Sequence, residues 1–187
     1  MLYQINNIFR IERPSEVERF SQWRDNNQLV VGTRRLLWHG SHSSNFIGIL
    51  NQGLRTNAQG YGYGNPGIFF ADFAGKSFGF CRVYQSGTQA LMLLCEVELG
   101  KREFEGRTAT IQSLRSEGCI SRLIKGQMIF PTWKNAKCVH EDLNGILMPD
   151  VTVAPGPSTD GVYGHNEYVV YEPSQILQRY LFHIEMC

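Results

Sequence analysis

A short apolar run, residues 36–38, stops abruptly at the polar turn His39-Gly40-Ser41. The run predicts a short buried strand, because consecutive apolar residues bounded by turn residues are typical of such strands. The turn then presents an imidazole, a hydroxyl and unencumbered glycine backbone groups in one place. We therefore expect a polar ligand to bind where this strand ends.

A helical pattern follows the turn. Ser43 or Ser44 stands where a side chain caps a helix, and Gly53 stands where a helix ends. The segment between them is predicted to carry four apolar residues on one side: Phe46, Ile47, Ile49 and Leu50.

Length and composition indicate one globular domain over residues 1–187. The hydrophobic fraction of 42% and the charged fraction of 19% are values typical of globular proteins. The formal net charge is only +1, and the lysines and arginines form no run. A protein that binds DNA on its own usually carries a basic stripe, so we expect no autonomous DNA binding.

The five cysteines are odd in number and include no Cys-x-x-Cys pair. Cys138 and His140 are close in sequence but lack a second pair of ligands, so we expect no metal site. The cysteine pattern suits a reducing, intracellular compartment. No apolar run approaches the roughly 20 residues of a membrane span, and no signal region precedes the chain, so we expect a soluble protein with no membrane partner.

The remaining pattern predicts many strands and few helices. One helix is predicted to start at Pro14 with Ser15 as its cap, Glu18 at the capping-box position and Val17, Phe20 and Trp23 on one face. A second is predicted over 76–84, and strands over 3–12, 68–71, 90–99, 145–148, 166–172 and 176–184. The sequence therefore predicts an α+β domain of two packed, largely antiparallel β-sheets with a few short helices.

A glycine-rich loop spans residues 59–67. Its Gly62-x-Gly64-x-x-Gly67 spacing formally matches a dinucleotide-binding fingerprint. That fingerprint requires a strand before it and a helix after it, whereas here a strand follows and Pro66 blocks a helix start. We interpret the segment as a flexible loop beside the site.

Four motifs occur in order along the chain: His39-Gly40-Ser41, residues 67–72, Lys76-Ser77 and residues 166–171. Together they resemble the catalytic domain of the poly(ADP-ribose) polymerases, which are diphtheria-toxin-like ADP-ribosyltransferases. The resemblance runs from about residue 8 to the end of the chain. It implies the ADP-ribosyltransferase fold and an enzyme that cleaves the nicotinamide–ribose bond of NAD.

The resemblance also implies the partners. ADP-ribose would pass to protein acceptors, the enzyme itself included, or to nucleic acids, and compounds that mimic nicotinamide would inhibit the reaction. The retained Glu167 would allow elongation to poly(ADP-ribose). A nuclear location follows from the family alone.

By position, the resemblance assigns each site residue a role. Glu167 and His39 match the catalytic glutamate and histidine; Glu167 would bond the nicotinamide-ribose hydroxyl, and His39, with Ser41 beside it, the adenosine ribose. Gly40 and Ser77 match the groups that hold the nicotinamide carboxamide, and a glycine lets a ligand approach its backbone closely. Three further residues match ligand-contacting positions: Phe69 and Phe80, whose rings would sandwich the nicotinamide, and Arg55 near the adenine.

Three features depart from the family pattern. Phe69 and Phe80 replace tyrosines, which keeps the stacking rings but removes hydroxyls worth on the order of 1 kcal/mol per hydrogen bond. Residues 127–133 lack a lysine- and glycine-rich segment. Met1 lies immediately before the catalytic region, so we expect no helical regulatory subdomain and no switching by DNA breaks.

Each site residue has a structural explanation when taken alone. His39 would bond a neighbouring backbone carbonyl, Glu167 would face solvent, and Ser77 would begin a helix. Two functional alternatives also stay open: a binding module for NAD or ADP-ribose that has lost catalysis, and an NAD glycohydrolase that uses water as the acceptor.

Overall fold

The structure, a computed structural model, describes residues 3–29, 32–56, 67–83, 87–107 and 109–187. Within them the chain has an α+β fold, as predicted. The helices are α1 (Pro14–Asn26), α2 (Phe46–Gln52), α3 (Ala74–Phe78) and α4 (Ile111–Ser116). The strands are β1 (Tyr3–Arg10), β2 (Arg34–Gly40), β3 (Ile68–Phe70), β4 (Gln89–Glu98), β5 (Phe104–Glu105), β6 (Ser121–Ile124), β7 (Gly126–Ile129), β8 (Trp133–Asn135), β9 (Leu147–Pro149), β10 (Gly156–Pro157), β11 (Tyr163–His165), β12 (Glu167–Val170) and β13 (Ile176–Met186).

The strands of the described residues form three sheets where two were expected. Six strands lie in the order β1-β13-β4-β2-β9-β8, four in the order β3-β12-β6-β5, and three in the order β10-β7-β11. Most pairs are antiparallel, as predicted, whereas β2/β9, β5/β6 and β7/β11 are parallel. The third sheet arises because the chain changes sheets at Lys125, between β6 and β7, and at Asn166, between β11 and β12.

The main core lies between the six-stranded and four-stranded sheets. Apolar side chains of β2 and β4 pack there against those of β3 and β12, and Phe46 of α2 joins them. A β-bridge ties the two sheets together: Trp38 N–H donates to the Ala71 carbonyl at 2.8 Å, and Ala71 N–H donates to the Trp38 carbonyl at 3.0 Å. The end of β2 is therefore fixed against the end of β3.

The predicted strand at residues 36–38 is confirmed as the middle of β2, but the capping of the next helix differs from the prediction. A 3₁₀ turn (Ser43–Asn45) comes first, and the His42 side chain caps it by accepting a hydrogen bond from Ser44 N–H at 3.2 Å. Helix α2 starts only at Phe46 and has no side-chain cap, while Gly53 ends it at φ 82°, as predicted. This shift turns Ile47 outward, where it is 82% exposed, and leaves Phe46 and Ile49 against the core.

The predicted cap of α1 is also wrong. The helix follows Arg13, which makes no side-chain cap, and Pro14 occupies its first turn. Glu16 is buried, and its carboxylate accepts a hydrogen bond from Gln178 N–H at 2.9 Å. Helix α1 therefore turns Glu16 and Phe20 inward and leaves Val17 exposed.

The segments with weak sequence signals hold most of the missed structure. Between residues 100 and 160 the chain forms α4, with a Thr110–Ser113 capping box, and several strands of two to four residues. The helix predicted over 76–84 is instead α3 followed by a 3₁₀ turn (Gly79–Cys81). Residues 57–66, which include all of the glycine-rich loop except Gly67, lie outside the described residues.

Candidate active site

The end of β2 places His39 beside β3. His39 Nδ1 lies 2.9 Å from the Phe69 carbonyl oxygen. Because that oxygen only accepts, Nδ1 carries the hydrogen. Burial lowers the pKa of His39 from its ordinary value of 6.5, and the bond to Phe69 offsets part of this effect. The ring is therefore neutral at neutral pH, and its Nε2 is left as a hydrogen-bond acceptor.

Gly40 and Ser77 lie in direct contact. A Cβ atom on Gly40 would stand 1.8 Å from the Ser77 carbonyl oxygen and 3.2 Å from Cys81 Sγ. The absent side chain thus makes room for the backbone of α3, in addition to the ligand access expected from sequence. Ser77 Oγ donates a hydrogen bond to the Trp38 carbonyl at 3.0 Å, which holds the serine against β2.

Glu167 begins β12 and forms an ion pair at the same place. Lys76 Nζ lies 2.7 Å from Glu167 Oε1, and the two side chains are 20% and 15% exposed. Lys76 also lies over the Tyr163 ring, 5.1 Å from its centroid. The Lys76-Ser77 motif gives Lys76 no role of its own, and no local pattern indicates that a lysine there meets a glutamate near the end of the chain.

The two phenylalanines differ in exposure. Phe69 is half-buried in β3, pairs with Val169 of β12, and contributes the carbonyl that bonds His39. Phe80 lies in the 3₁₀ turn after α3 and is 56% exposed, so an apolar ring can be covered there by a ligand. Phe80 follows Ser77 by three residues, which on a helical segment places both near one face.

The two remaining predicted residues, Ser41 and Arg55, differ in how they are held. Ser41 is half-buried beside His39, and its Oγ accepts a hydrogen bond from Asn45 Nδ2 at 2.9 Å. Arg55 is exposed in the segment after α2, and no hydrogen bond within the described part of the chain links it to the other site residues.

These contacts form one connected set. His39 bonds Phe69, Gly40 touches Ser77, and Lys76, the neighbour of Ser77, pairs with Glu167. Residues from four separate stretches of the chain thus meet at the ends of β2 and β12. The site has one fixed acceptor, one hydroxyl, glycine backbone groups and a charge-paired carboxylate, a combination that suits a ligand with an amide and several hydroxyls.

The neutral state of His39 determines how the affinity for NAD should depend on pH. If Nε2 accepts a ligand hydroxyl, affinity for NAD stays level between about pH 7 and pH 8 and falls as the pH drops below 6.5, because protonation converts Nε2 into a donor. Because its pKa is lowered, His39 in the folded protein becomes protonated at a lower pH than a free imidazole does. The fall in NAD affinity is therefore displaced to lower pH. Calorimetric titration of NAD at several pH values measures this.

The matched control for that titration is His39→Gln, whose amide does not titrate. Its affinity is expected to be lower and level over the same pH range. An affinity of the unaltered protein that follows the same pH profile as His39→Gln, at every pH at which both proteins stay folded, contradicts the assignment of Nε2 as the acceptor.

Among the described residues, no group of three or more His, Cys, Asp or Glu side chains is arranged to hold a metal ion, and the expected lack of a metal stays a prediction. In the same part of the chain, none of the helices combines the length and the apolar character that crossing a membrane requires.

Comparison with known proteins gives the family. Residues 1–186 match the family model described as the poly(ADP-ribose) polymerase catalytic domain. The chain is similar to poly(ADP-ribose) polymerase 2-A of Oryza sativa subsp. japonica (32% identity, 95% of this chain, 26% of the relative) and to poly(ADP-ribose) polymerase 2 of Zea mays (34%, 95%, 26%). It is also similar to poly(ADP-ribose) polymerase 1 of Gallus gallus (34%, 95%, 17%).

The chain belongs to the family of poly(ADP-ribose) polymerase catalytic domains. It spans about a quarter of the length of the first two of these relatives and less of the third.

Proposed function

We propose that this chain is an NAD-dependent ADP-ribosyltransferase. The observation that carries the proposal is the Lys76–Glu167 ion pair, which ties a carboxylate to the chain neighbour of Ser77, the residue that contacts Gly40. Membership of the polymerase catalytic-domain family supports the same activity.

The residues around Gly40 fit the nicotinamide end of NAD. A carboxamide has one acceptor and two donors, and the Gly40 backbone and the Ser77 hydroxyl offer matching groups. The exposed Phe80 ring and the half-buried Phe69 ring offer apolar faces nearby. At the other end of the site, the His39 Nε2 acceptor suits a ribose hydroxyl.

Glu167 would supply the main electrostatic contribution to catalysis. Cleavage of the nicotinamide–ribose bond leaves positive charge on the ribose. A carboxylate fixed near that ribose stabilises the developing charge, and such fixed charges are often the largest single contribution to catalysis. Lys76 would hold the carboxylate in one orientation.

The acceptors, the product and the location belong to the proposal as well. ADP-ribose would go to proteins, this chain included, with nucleic acids as a second acceptor class. The retained Glu167 would also orient an acceptor ribose hydroxyl, which supports elongation to poly(ADP-ribose), the product for which the relatives are named. Compounds that mimic nicotinamide would inhibit, and a nuclear location rests on the family alone.

Incubation of the protein with NAD labelled in its adenylate part, followed by gel electrophoresis, tests the proposal. We expect label on the protein band, extended upward as a ladder if chains elongate. Label found only in free ADP-ribose would replace the proposal by a glycohydrolase. No consumption of NAD, with retained NAD binding, would replace it by a binding module.

A further inference from the structure

Two buried polar residues flank Glu167. Asn166 is 7% exposed and Tyr168 is 3% exposed, and both side chains bond the same carboxylate in the interior. Successive side chains of a strand point to opposite faces, so Glu167 is turned the other way, toward Lys76. The direction of Glu167 therefore depends on how firmly its two neighbours are held.

Asp72 holds both neighbours. Asn166 Nδ2 donates to Asp72 Oδ2 at 2.8 Å, and the Tyr168 hydroxyl donates to the same oxygen at 3.2 Å. Asp72 is 4% exposed, and burial raises its pKa while the bonds from Asn166 and Tyr168 act against that increase. Among the described residues no lysine or arginine pairs with it.

A buried carboxylate of this kind gives the core little stability. Apolar residues of similar volume often stabilise a core as well as, or better than, buried charged groups do. The need for one acceptor that bonds both Asn166 and Tyr168 therefore explains an acid at this position better than core packing does. We call Asp72, Asn166 and Tyr168 together the Asp72 clamp.

Asn166 is also fixed from its other side. It stands where the chain passes from β11 to β12, and its Oδ1 accepts a hydrogen bond from Gly126 N–H at 2.9 Å. The strands cross so closely there that a Cβ on Gly126 would lie 2.2 Å from the His165 carbonyl carbon. Both ends of the Asn166 amide are thus engaged, and its side chain has one orientation.

The Asp72 clamp is also linked to the part of the site that carries His39 and Gly40. Asp72 directly follows Ala71, whose backbone exchanges two hydrogen bonds with Trp38, at 2.8 and 3.0 Å. Trp38 in turn directly precedes His39 and accepts the hydrogen bond of Ser77 Oγ. Asp72 consequently connects the β2 turn, which carries His39 and Gly40, with the start of β12, which carries Glu167.

We infer that Asp72 and Asn166 are positioning residues that fix the Glu167 carboxylate relative to His39 and Ser77. They act through Glu167 and are not proposed to touch the substrate. The inference rests on the proposed transferase function. A displacement of about 1 Å of a catalytic group can lower turnover on the order of 100-fold, so a loosened clamp should lower kcat while NAD binding persists.

An exchange of the two side chains tests the inference. Asn166→Asp alone places two carboxylates where a 2.8 Å hydrogen bond was, and we expect kcat to fall about 10- to 100-fold with the NAD KM within about 3-fold. Adding Asp72→Asn restores a complementary pattern: the amide nitrogen at the former Asp72 Oδ2 position donates to the carboxylate at position 166 and to the Tyr168 hydroxyl oxygen. The Tyr168 hydroxyl then donates to the carboxylate at position 166, and the Gly126 bond stays in place. We expect the double variant to recover kcat to within roughly 5-fold of the unaltered protein.

Ser121→Ala is the matched control. Ser121 is fully buried on β6 of the same sheet, and its Oγ donates to the Leu99 carbonyl at 2.6 Å. This change removes a buried hydrogen bond and lowers stability without touching the clamp, so kcat should stay unchanged. Equal kcat losses in Ser121→Ala and Asn166→Asp at equal stability, or no recovery in the double variant, would overturn the inference.

A crystal structure of each variant separates this inference from the proposed function. The contact between Lys76 Nζ and Glu167 Oε1 should be lost in Asn166→Asp and regained in the double variant, whether or not the protein consumes NAD. If the unaltered protein leaves NAD intact, the proposed function fails and the contact still decides the inference. An unchanged Lys76–Glu167 contact in Asn166→Asp would overturn it.

Discussion

Glu167→Gln is expected to lower NAD turnover about 100- to 1,000-fold while the NAD dissociation constant changes by less than about 3-fold. The amide keeps the shape of the side chain and still accepts a hydrogen bond from Lys76, but it carries no negative charge. Charge stabilisation of the developing ribose cation is lost, whereas the groups that bind the rest of NAD are unchanged. Label transfer from NAD and calorimetric titration measure the two quantities separately.

Glu172→Gln is the control for that change. Glu172 lies just beyond the other end of β12, and its exposed carboxylate pairs with Arg115 at 3.4 Å. The same chemical substitution there should leave turnover unchanged. Turnover of Glu167→Gln near that of the unaltered protein would mean that Glu167 is not the catalytic carboxylate.

Gly40→Ala is expected to abolish binding of nicotinamide analogues and to lower the free energy of unfolding by about 3 kcal/mol. The added methyl would stand 1.8 Å from the Ser77 carbonyl oxygen, whereas an ordinary contact needs at least 3.4 Å. The added methyl is fixed to the β2 backbone, and the Ser77 carbonyl belongs to the α3 backbone, so neither atom can move alone. Strand β2 and helix α3 must therefore separate, and the Ser77 hydroxyl leaves its place beside Trp38. Benzamide titration and denaturant unfolding measure the two effects.

Gly48→Ala provides the comparison for Gly40→Ala. A Cβ on Gly48 meets nothing within 4 Å, and the residue lies inside α2. Alanine favours a helix interior over glycine by roughly 0.5–1 kcal/mol, so this variant should be as stable as the unaltered protein or slightly more stable. If Gly40→Ala behaved like Gly48→Ala, the close contact between β2 and α3 would be refuted.

The sequence predicted the parts of the fold whose apolar runs are long. Strand β4 was recognised by its run of apolar residues, and β13 was recognised as a closing strand set off by the turn at Pro173. Strands β5, β8 and β10 have two or three residues each, which is too short for an alternating pattern to be visible. Their positions depend on pairing with distant strands.

The predicted helix caps were wrong for a different reason. Capping rules look for serine, threonine, aspartate or asparagine, and Ser43, Ser44 and Ser15 all met that description. The structure uses the imidazole of His42 for the 3₁₀ turn and no side chain for α1. Glu16 has its own buried partner in β13, and this tertiary bond decides where α1 sits.

The candidate site was predicted by motif and completed only by tertiary contacts. His39, Gly40, Phe69, Ser77 and Glu167 were named from sequence, and the structure brings them together. The ion pair of Lys76 and the Asp72 clamp were not foreseen, because each joins residues that lie far apart in the chain. No periodicity or spacing reports a bond of that kind.

A crystal structure of the protein soaked with benzamide tests most directly whether these residues line one NAD site. We predict that the carboxamide is hydrogen-bonded to the Gly40 backbone and to Ser77 Oγ, with the ring against Phe80 and the Glu167 carboxylate at the open end. Benzamide bound elsewhere, or absent from this position at saturating concentration, would contradict it.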